Sequence, residues 1–222
     1  KNDEDTDIVA YEREQVKALE EYFTGTNAET AYLLGCYCGL RINECYGLKW
    51  ENVDLVHGTI TIDRQMQYQE GLIKLVPLKT RNARRTVYMS EKLKSYFVEL
   101  ARQRVADAEQ LKGQREQNQT FIEDLDGEKV SSLELVNSLS NGKIQTVNSM
   151  KYHSRTIKTE LGIDFKFHHL RHTYGTRLAE LNTPTHILCN QMGHASGKVT
   201  ERYYLAVSKS GIDILVRNLN AI

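Results

Sequence analysis

The sequence predicts a mainly α-helical domain that also contains a small antiparallel β-sheet, an α+β fold. Apolar residues recur at helical spacing over most of the chain, starting with Val16, Leu19, Tyr22 and Phe23. Runs typical of strands are short and are concentrated between residues 59 and 88. With 222 residues, 40% of them hydrophobic and 26% charged, the chain is suited to one domain with a substantial core, residues 1–222.

Glycine and capping residues mark the ends of the predicted helices. Gly25 and Gly39 each end a helix, and Ser90 is placed to cap a long one. The predicted helices span residues 12–23, 28–38, 41 or 42–48, 91–110, 145–161, 168 or 169–181, 184–192 and 208–219.

The predicted strands lie in one part of the chain. They cover residues 59–64, 72–76 and 84–88, with turns at Glu70-Gly71 and at residues 80–83. Residues 111–142 are rich in turn-forming residues and show one possible strand near Phe121. We expect this stretch to be a surface excursion, which either stays solvated or contacts a partner subunit.

Charge is distributed in blocks, although the 29 basic and 29 acidic residues give a formal net charge of zero. Residues 1–24 and 105–134 each carry three basic and eight acidic side chains. Residues 64–104 carry ten basic and three acidic side chains, and residues 143–177 carry seven and two. Each block could be a solvated face, but together the two basic blocks favour a positively charged groove for nucleic acid.

Membrane and export classes are not favoured by the sequence. The first residues are acidic and lack an apolar core, so we expect no signal peptide. The longest apolar stretch, residues 31–42, is too short to span a bilayer. Four cysteines without paired metal-type spacing indicate buried free thiols in a reducing cytoplasm: Cys36, Cys38, Cys45 and Cys189.

Several separated positions carry side chains suited to phosphoryl transfer. His168 and Arg171 lie three residues apart, on one face of a predicted helix. Gly193 ends another helix just before His194, and Tyr203 follows nine residues after this histidine. Upstream lie Arg41, Glu44 and Lys79.

In this order the motifs resemble the tyrosine recombinase (phage integrase) family. The resemblance runs from about Tyr11 to the C-terminus and rests on Gly39-Leu-Arg-Ile-Asn-Glu44, Gly47-Leu-Lys-Trp50, Leu78-Lys-Thr80, Phe167-His-His-Leu-Arg-His-Thr173, Met192-Gly-His194 and Tyr203. It implies the DNA breaking-rejoining catalytic fold for residues 1–222. It also implies that an N-terminal DNA-clamping domain, usual in the family, is absent from this chain.

The resemblance implies a role for each candidate. Tyr203 is the expected nucleophile, and its phenol, with an ordinary pKa of about 10, needs a base or a strongly cationic pocket. Arginine forks are suited to clamp the nonbridging oxygens of a phosphodiester, which assigns this task to Arg41 and Arg171. The remaining expected roles are a third hydrogen bond from His194, proton transfer by His168, protonation of the leaving 5′-oxygen by Lys79 and support of a guanidinium by Glu44.

Some of these assignments have rivals. Tyr204 adjoins Tyr203, and Arg41 could instead pair structurally with Glu44. Lys79 has other basic residues near it in the sequence, namely Lys74, Arg81, Arg84 and Arg85. A metal site formed by His168 and His172 with Cys189 or His194 is disfavoured because no glutamate stands at a general-base position.

The expected function is that of a site-specific DNA recombinase or integrase of a phage or mobile element. It would act through a 3′-phosphotyrosyl intermediate and need neither metal nor cofactor. Its expected partners are double-stranded DNA with a specific recombination site, three further copies in a homotetramer and an accessory DNA-bending protein. The expected DNA contacts are Arg81, Arg84, Arg85 and Lys166.

Two other functions remain open. A type IB topoisomerase-like enzyme uses the same kind of tyrosine attack, and a DNA-binding regulator could retain the fold without turnover. The apolar positions of the predicted helix at 208–219 fit packing on their own domain and docking on a neighbouring subunit equally well.

Overall fold

The computed structural model describes residues 8–194 and 197–205, together with Leu219. The helices are α1 (Arg13–Phe23), α2 (Glu29–Cys38), α3 (Ile42–Gly47), α4 (Glu91–Gln110), α5 (Lys112–Asn118), α6 (Asn148–Leu161), α7 (Phe167–Glu180), α8 (Thr185–Met192) and α9 (Gly197–Leu205). The strands are β1 (Val53–Asp54), β2 (Thr59–Ile62), β3 (Arg64–Gln69), β4 (Leu72–Pro77), β5 (Arg85–Tyr88), β6 (Phe121–Glu123) and β7 (Lys129–Ser131). Among these described helices, none has both the length and the apolar character that crossing a bilayer requires.

Helix α7 lies at the centre of the domain, between α2 on one side and α8 and α9 on the other. It is buried over most of its length, including the charged residue Arg171. One large apolar cluster joins α1, α2, α4 and the sheets to the start of α7. A separate, smaller cluster joins the end of α7 to α8 and α9 and contains Tyr203. The predicted mainly α architecture is therefore confirmed, with α7 as the element shared by both clusters.

The strands form two sheets, whereas one small antiparallel sheet was expected. The first has the order β1-β2-β5, and the second has the order β3-β4-β6-β7. In the second sheet β4 and β6 are parallel, with Lys74 opposite Glu123. The expectation missed β3, although Met66 and Tyr68 alternate with glutamines in the pattern of a strand; the element is defined by its pairing with β4.

The predicted helix limits agree with the structure to within about three residues. Helix α4 has the predicted limits, and Ser90 Oγ accepts a hydrogen bond of 3.3 Å from the backbone N–H of Leu93. Helices α5 and α9 were not predicted. Helix α5 has no apolar periodicity and is held instead by Arg115, whose Nε donates to the carbonyl of Ser140 at 2.8 Å. The helix predicted at 208–219 lies outside the described residues except for Leu219.

Residues 111–142 were expected to form a surface excursion, but four of their apolar side chains belong to the large apolar cluster. Leu135 is fully buried, and Ile122 and Val136 are 4% exposed. Asn137 Nδ2 donates to the carbonyl of Cys45 at 2.9 Å, which ties the segment to α3. The sequence signal was weak because the buried residues occur in short groups without helical or strand periodicity, and burial here arises from contacts with distant elements.

Leu135→Ala should lower the free energy of unfolding by about 2–5 kcal/mol, because a fully buried leucine leaves a cavity when it is truncated. The matched control is Leu125→Ala in the same segment, where the side chain is 39% exposed and the loss should stay below about 1 kcal/mol. Urea unfolding of both variants measures the difference. Equal small losses would mean that the segment does not pack on the core.

Candidate active site

The candidate site forms where two helices end. Gly39 ends α2 and Gly193 ends α8, and both adopt the left-handed conformation, with φ of 64° and 62°. A side chain is strained in this conformation, so glycine allows each helix to stop and the chain to turn. The turns bring Arg41, at the N-cap of α3, and His194, directly after α8, towards Arg171 on α7.

Arg171 is the centre of the site and is only 1% exposed. Its Nη1 donates to the carbonyl of Gly39 at 2.5 Å, and its Nη2 donates to the carbonyl of Met192. Both carbonyls belong to helix C-termini, where the helix dipole places partial negative charge. Burial lowers the pKa of Arg171, and the charges of Arg41 and Arg85 lower it further. The cation is retained in the interior because fixed acceptors surround it.

Glu44 supplies the negative charge of this cluster and is 2% exposed. Its carboxylate accepts from Arg85 Nη2 at 2.8 Å and Nη1 at 3.1 Å, and from Arg41 Nη1 at 3.2 Å. Burial alone would raise its pKa, but the charges of Arg85, Arg171 and Arg41 lower it to about 2. This pairing therefore contributes its full stabilisation at pH values above 4.5, the ordinary pKa of a glutamate. The contribution is lost as the pH falls from there towards about 2, the pKa of Glu44 in the folded protein.

Arg85 is a structural residue, which corrects its expected role as a DNA contact. Besides the bonds to Glu44, its Nε donates to the carbonyl of Gln191 at 2.9 Å and its Nη1 to that of Ala83 at 2.9 Å. The guanidinium thus joins β5, α3 and α8 in the interior. The alternation of β5 could have revealed this, because Arg85 and Val87 are buried while Thr86 and Tyr88 are exposed.

Tyr203 and His194 lie together beside Arg171. Their rings are stacked, with centroids 5.8 Å apart and planes inclined by 11°. His194 Nδ1 lies 2.9 Å from Thr200 Oγ1 on α9, and the phenol of Tyr203 acts electrostatically on Arg171. The structure therefore brings Arg41, Glu44, Arg171, His194 and Tyr203 into one cluster. Tyr203 is only 2% exposed, so its ring is withdrawn from solvent in this conformation.

Three histidines of α7 continue the site away from the arginines. His168 is half-buried, and its ring centroid is 4.5 Å from that of His172 in an edge-to-face arrangement. His172 also contacts the ring of Tyr203 at 6.1 Å and that of His169 at 5.8 Å. Within the described residues, no three His, Cys, Asp or Glu side chains are arranged to hold a metal ion. The sequence singled out His168 for proton transfer, but it raised His172 as part of a disfavoured metal site.

The remaining candidates whose side chains are described lie at the surface. Lys79 is exposed in the bend after β4 and makes no hydrogen bond or ion pair within the part of the chain that the structure describes. The structure therefore does not join it to the buried cluster. Arg84 is exposed, and Lys166, at the N-cap of α7, forms an ion pair of 3.3 Å with Asp164. The side chain of Arg81 lies outside the described residues.

Tyr204 has a different environment from Tyr203. Its hydroxyl donates to the carbonyl of Thr183, between α7 and α8. The two tyrosines are neighbours on α9, yet one contacts the charged cluster and the other anchors the helix to a turn.

Known proteins resemble this chain in sequence and in fold. The model of the phage integrase family matches residues 11–210. The chain belongs to the phage integrase family. The family resemblance predicted from the motifs is therefore confirmed.

Two curated relatives match nearly all of the chain. A tyrosine recombinase XerC-like protein of Caldanaerobacter subterraneus subsp. tengcongensis is 28% identical over 228 aligned positions, which cover 97% of this chain and 55% of the relative. A prophage ps2 probable integrase of Lactococcus lactis subsp. lactis is 28% identical over 220 positions, which cover 92% and 53%. This member of the phage integrase family thus spans about half the length of these relatives.

Solved structures share the fold. The Tn1549 transposon integrase in complex with circular intermediate DNA has a TM-score of 0.73 at 22% identity, covering 97% of this chain and 68% of that one. The XerA recombinase has a TM-score of 0.65 at 18% identity, covering 95% and 64%. The expected fold of the phage integrase family is thereby confirmed.

Gly175→Ala should lower the stability of the domain. A Cβ there would lie 2.6 Å from Tyr203 Cε1 and 3.0 Å from Met192 Sδ. Overpacking costs about 1–3 kcal/mol, which outweighs the gain of about 1 kcal/mol from replacing a helical glycine.

The matched control is Gly113→Ala in α5, where nothing lies within 4 Å of the added Cβ. This variant should gain up to about 1 kcal/mol. Chemical unfolding of both variants distinguishes the effects. A gain of stability in both would mean that Tyr203 does not pack on α7.

Proposed function

We propose that this chain is the catalytic part of a site-specific DNA recombinase that cuts and rejoins strands through Tyr203. The observation that carries the proposal is the convergence of Arg41 and Arg171 at the buried carboxylate of Glu44, with Tyr203 beside Arg171 and His194 stacked on Tyr203. Membership of the phage integrase family supports the same chemistry.

The charge of the cluster is suited to a phosphodiester. Three guanidinium groups, of Arg41, Arg85 and Arg171, surround the single carboxylate of Glu44. The excess positive charge favours an anion, and it favours most the transition state, in which negative charge on the nonbridging oxygens increases. We infer that Arg41, Arg171 and His194 hold these oxygens, while Arg85 holds Glu44. Loss of one such donor typically slows the chemical step by about 100- to 1000-fold.

The cleavage step exchanges one ester for another. The bond from Tyr203 Oη to phosphorus forms while the bond from phosphorus to the 5′-oxygen breaks. His168 takes the phenolic proton, and Lys79 gives a proton to the departing 5′-oxygen. The 3′-phosphotyrosyl ester keeps the energy of the broken bond, so attack by a 5′-hydroxyl rejoins a strand without nucleotide or metal.

DNA binding requires the site to open. Arg171 is 1% exposed and Tyr203 is 2% exposed, so a phosphate cannot reach the guanidinium in the conformation described above. Helix α9 carries Tyr203 and belongs to the smaller apolar cluster. We infer that α9 is displaced when DNA binds and then presents the phenol to the phosphate.

The basic surface supports a DNA substrate. Lys151, Arg155 and Lys158 are exposed on α6 at spacings of four and three residues, which puts them on one face. Arg84 and Lys166 add exposed positive charge. Such residues contact phosphates and give affinity that falls with salt. The proposed partners are a specific duplex site, other copies in a tetramer and an accessory DNA-bending protein, in the cytoplasm.

Tyr203→Phe should abolish the covalent protein–DNA adduct, because it removes the attacking oxygen. The probe is a library of nicked random-sequence duplexes, and adducts are detected by denaturing gel electrophoresis. The matched control, Tyr204→Phe, loses only the hydrogen bond to Thr183 and should still form the adduct.

Each alternative has its own outcome in this experiment. An adduct that persists in Tyr203→Phe, or no adduct with the unaltered protein, would contradict the proposal and favour a DNA-binding regulator. Strand exchange between two captured duplexes identifies a recombinase. Relaxation of supercoiled DNA without exchange would instead identify a topoisomerase-like enzyme.

Lys79→Ala should slow adduct formation by about 100-fold if this ammonium protonates the leaving oxygen. On a duplex with sulfur in place of the bridging 5′-oxygen, Lys79→Ala should form the adduct almost as fast as the unaltered protein does. A thiolate leaves without needing a proton, so loss of the general acid has little effect on this substrate. Lys74→Ala is the matched control on β4, where the lysine pairs with Glu123 at 3.2 Å. Equal slowing on both substrates would exclude Lys79 as the general acid.

A further inference from the structure

Residues 8–11, here called the N-terminal strap, are bound along the first turns of α7. The N–H of Val9 donates to His172 Nδ1 at 3.1 Å, and the N–H of Tyr11 donates to Thr173 Oγ1 at 2.8 Å. Tyr11 Oη accepts from the N–H of Lys166 at 2.7 Å and donates to its carbonyl at 3.1 Å. The strap is therefore held by hydrogen bonds to two residues of α7 and to its N-cap residue, all more than 150 positions further along the chain.

His172 links this strap to the reacting groups. It is 3% exposed, and its ring lies edge-to-face with that of His168, at 4.5 Å between centroids and 78° between planes. The ring also lies 6.1 Å from that of Tyr203, at 70°. A shift of the His172 ring would therefore displace the proposed base and the nucleophile together, because buried rings at these distances are close-packed.

The hydrogen bond from the strap determines which ring nitrogen of His172 carries the proton. An N–H can donate only to an unprotonated ring nitrogen, so the bond from Val9 requires a free lone pair on Nδ1. The proton of the neutral ring is then on Nε2. Burial lowers the pKa of His172 to about 4, and the neighbouring His168 and His169 lower it as well, so the ring stays neutral near pH 7.

We propose that His172 is a positioning residue for DNA cleavage, and that the backbone N–H of Val9 holds its ring in the orientation that sets His168 and Tyr203. The inference rests on the proposed function. It adds to that function a second requirement: the chain just before the catalytic helices must be seated on α7 for the nucleophile and its base to be aligned.

Val9→Pro tests the proposal because proline has no N–H and leaves every catalytic side chain in place. We expect adduct formation on a captured duplex, measured in a single turnover, to slow about 10-fold, in line with the effect of a small misplacement of reacting groups. The dissociation constant for the same duplex should stay within about twofold. The matched control is Ala10→Pro, which removes an N–H without a hydrogen-bond partner among the described residues and should keep the rate.

A double-mutant cycle separates the hydrogen bond from general damage to the strap. His172→Phe keeps a ring but removes the acceptor, so it should also slow the reaction. If both changes act through the same bond, adding Val9→Pro to His172→Phe should cause little further loss. The proposal is overturned if the slowing factors of the two single variants multiply in the double variant. It is also overturned if Val9→Pro leaves the rate unchanged, or if Ala10→Pro slows the reaction as much as Val9→Pro does.

The tautomer of His172 gives a readout that does not depend on cleavage. In ¹⁵N NMR spectra of the protein, the His172 ring should be the Nε2–H tautomer, and Val9→Pro should shift the Nδ1 resonance. A protonated Nδ1 in the unaltered protein would overturn the role of the strap even if His172→Phe fails to fold. Absence of an adduct with the unaltered protein would instead refute the proposed function, so the two failures are distinguishable.

Discussion

The buried carboxylate of Glu44 is the interaction on which the site depends. It joins Arg85 of β5 to Arg41 at the start of α3, and it lowers the electrostatic cost of burying Arg171. Removing one partner from such a network leaves charge without compensation in the interior, which is strongly destabilising. Since the guanidinium groups outnumber the carboxylate, the network remains positive as a whole. The domain thereby holds in advance the charge that an incoming anion requires.

The candidate site lies where the two apolar clusters meet. Arg171 lies on the helix shared by both clusters, with its acceptors at the ends of α2 and α8. Tyr203 belongs to the smaller cluster, with Ala179, Leu188 and Met192. Elements with fewer buried contacts open at lower free-energy cost. Tyr203, the proposed nucleophile, therefore lies in the smaller cluster, which is expected to open at the lower cost.

The sequence was sufficient to predict most helices and the main candidate residues, because periodicity, capping and spacing are local signals. The limits of α4 and the glycine at the end of α8 follow directly from such signals. The sequence was insufficient where long-range contact decides. The strand with alternating glutamines is defined by its neighbour, and the bond from Val9 to His172 joins residues 163 positions apart. Arg85 was expected to contact DNA, and its pairing in the interior could not be foreseen because its partner Glu44 lies 41 residues away.

The anchored neighbour of Tyr203 limits how far Tyr203 can move. While the hydroxyl of Tyr204 is bonded to Thr183, the backbone at 203 is one Cα step, about 3.8 Å, from a residue fixed to the turn between α7 and α8. The displacement of α9 that we propose for DNA binding therefore requires this hydrogen bond to break. The strength of one side-chain contact thus bears on how readily the ring of Tyr203 leaves the interior.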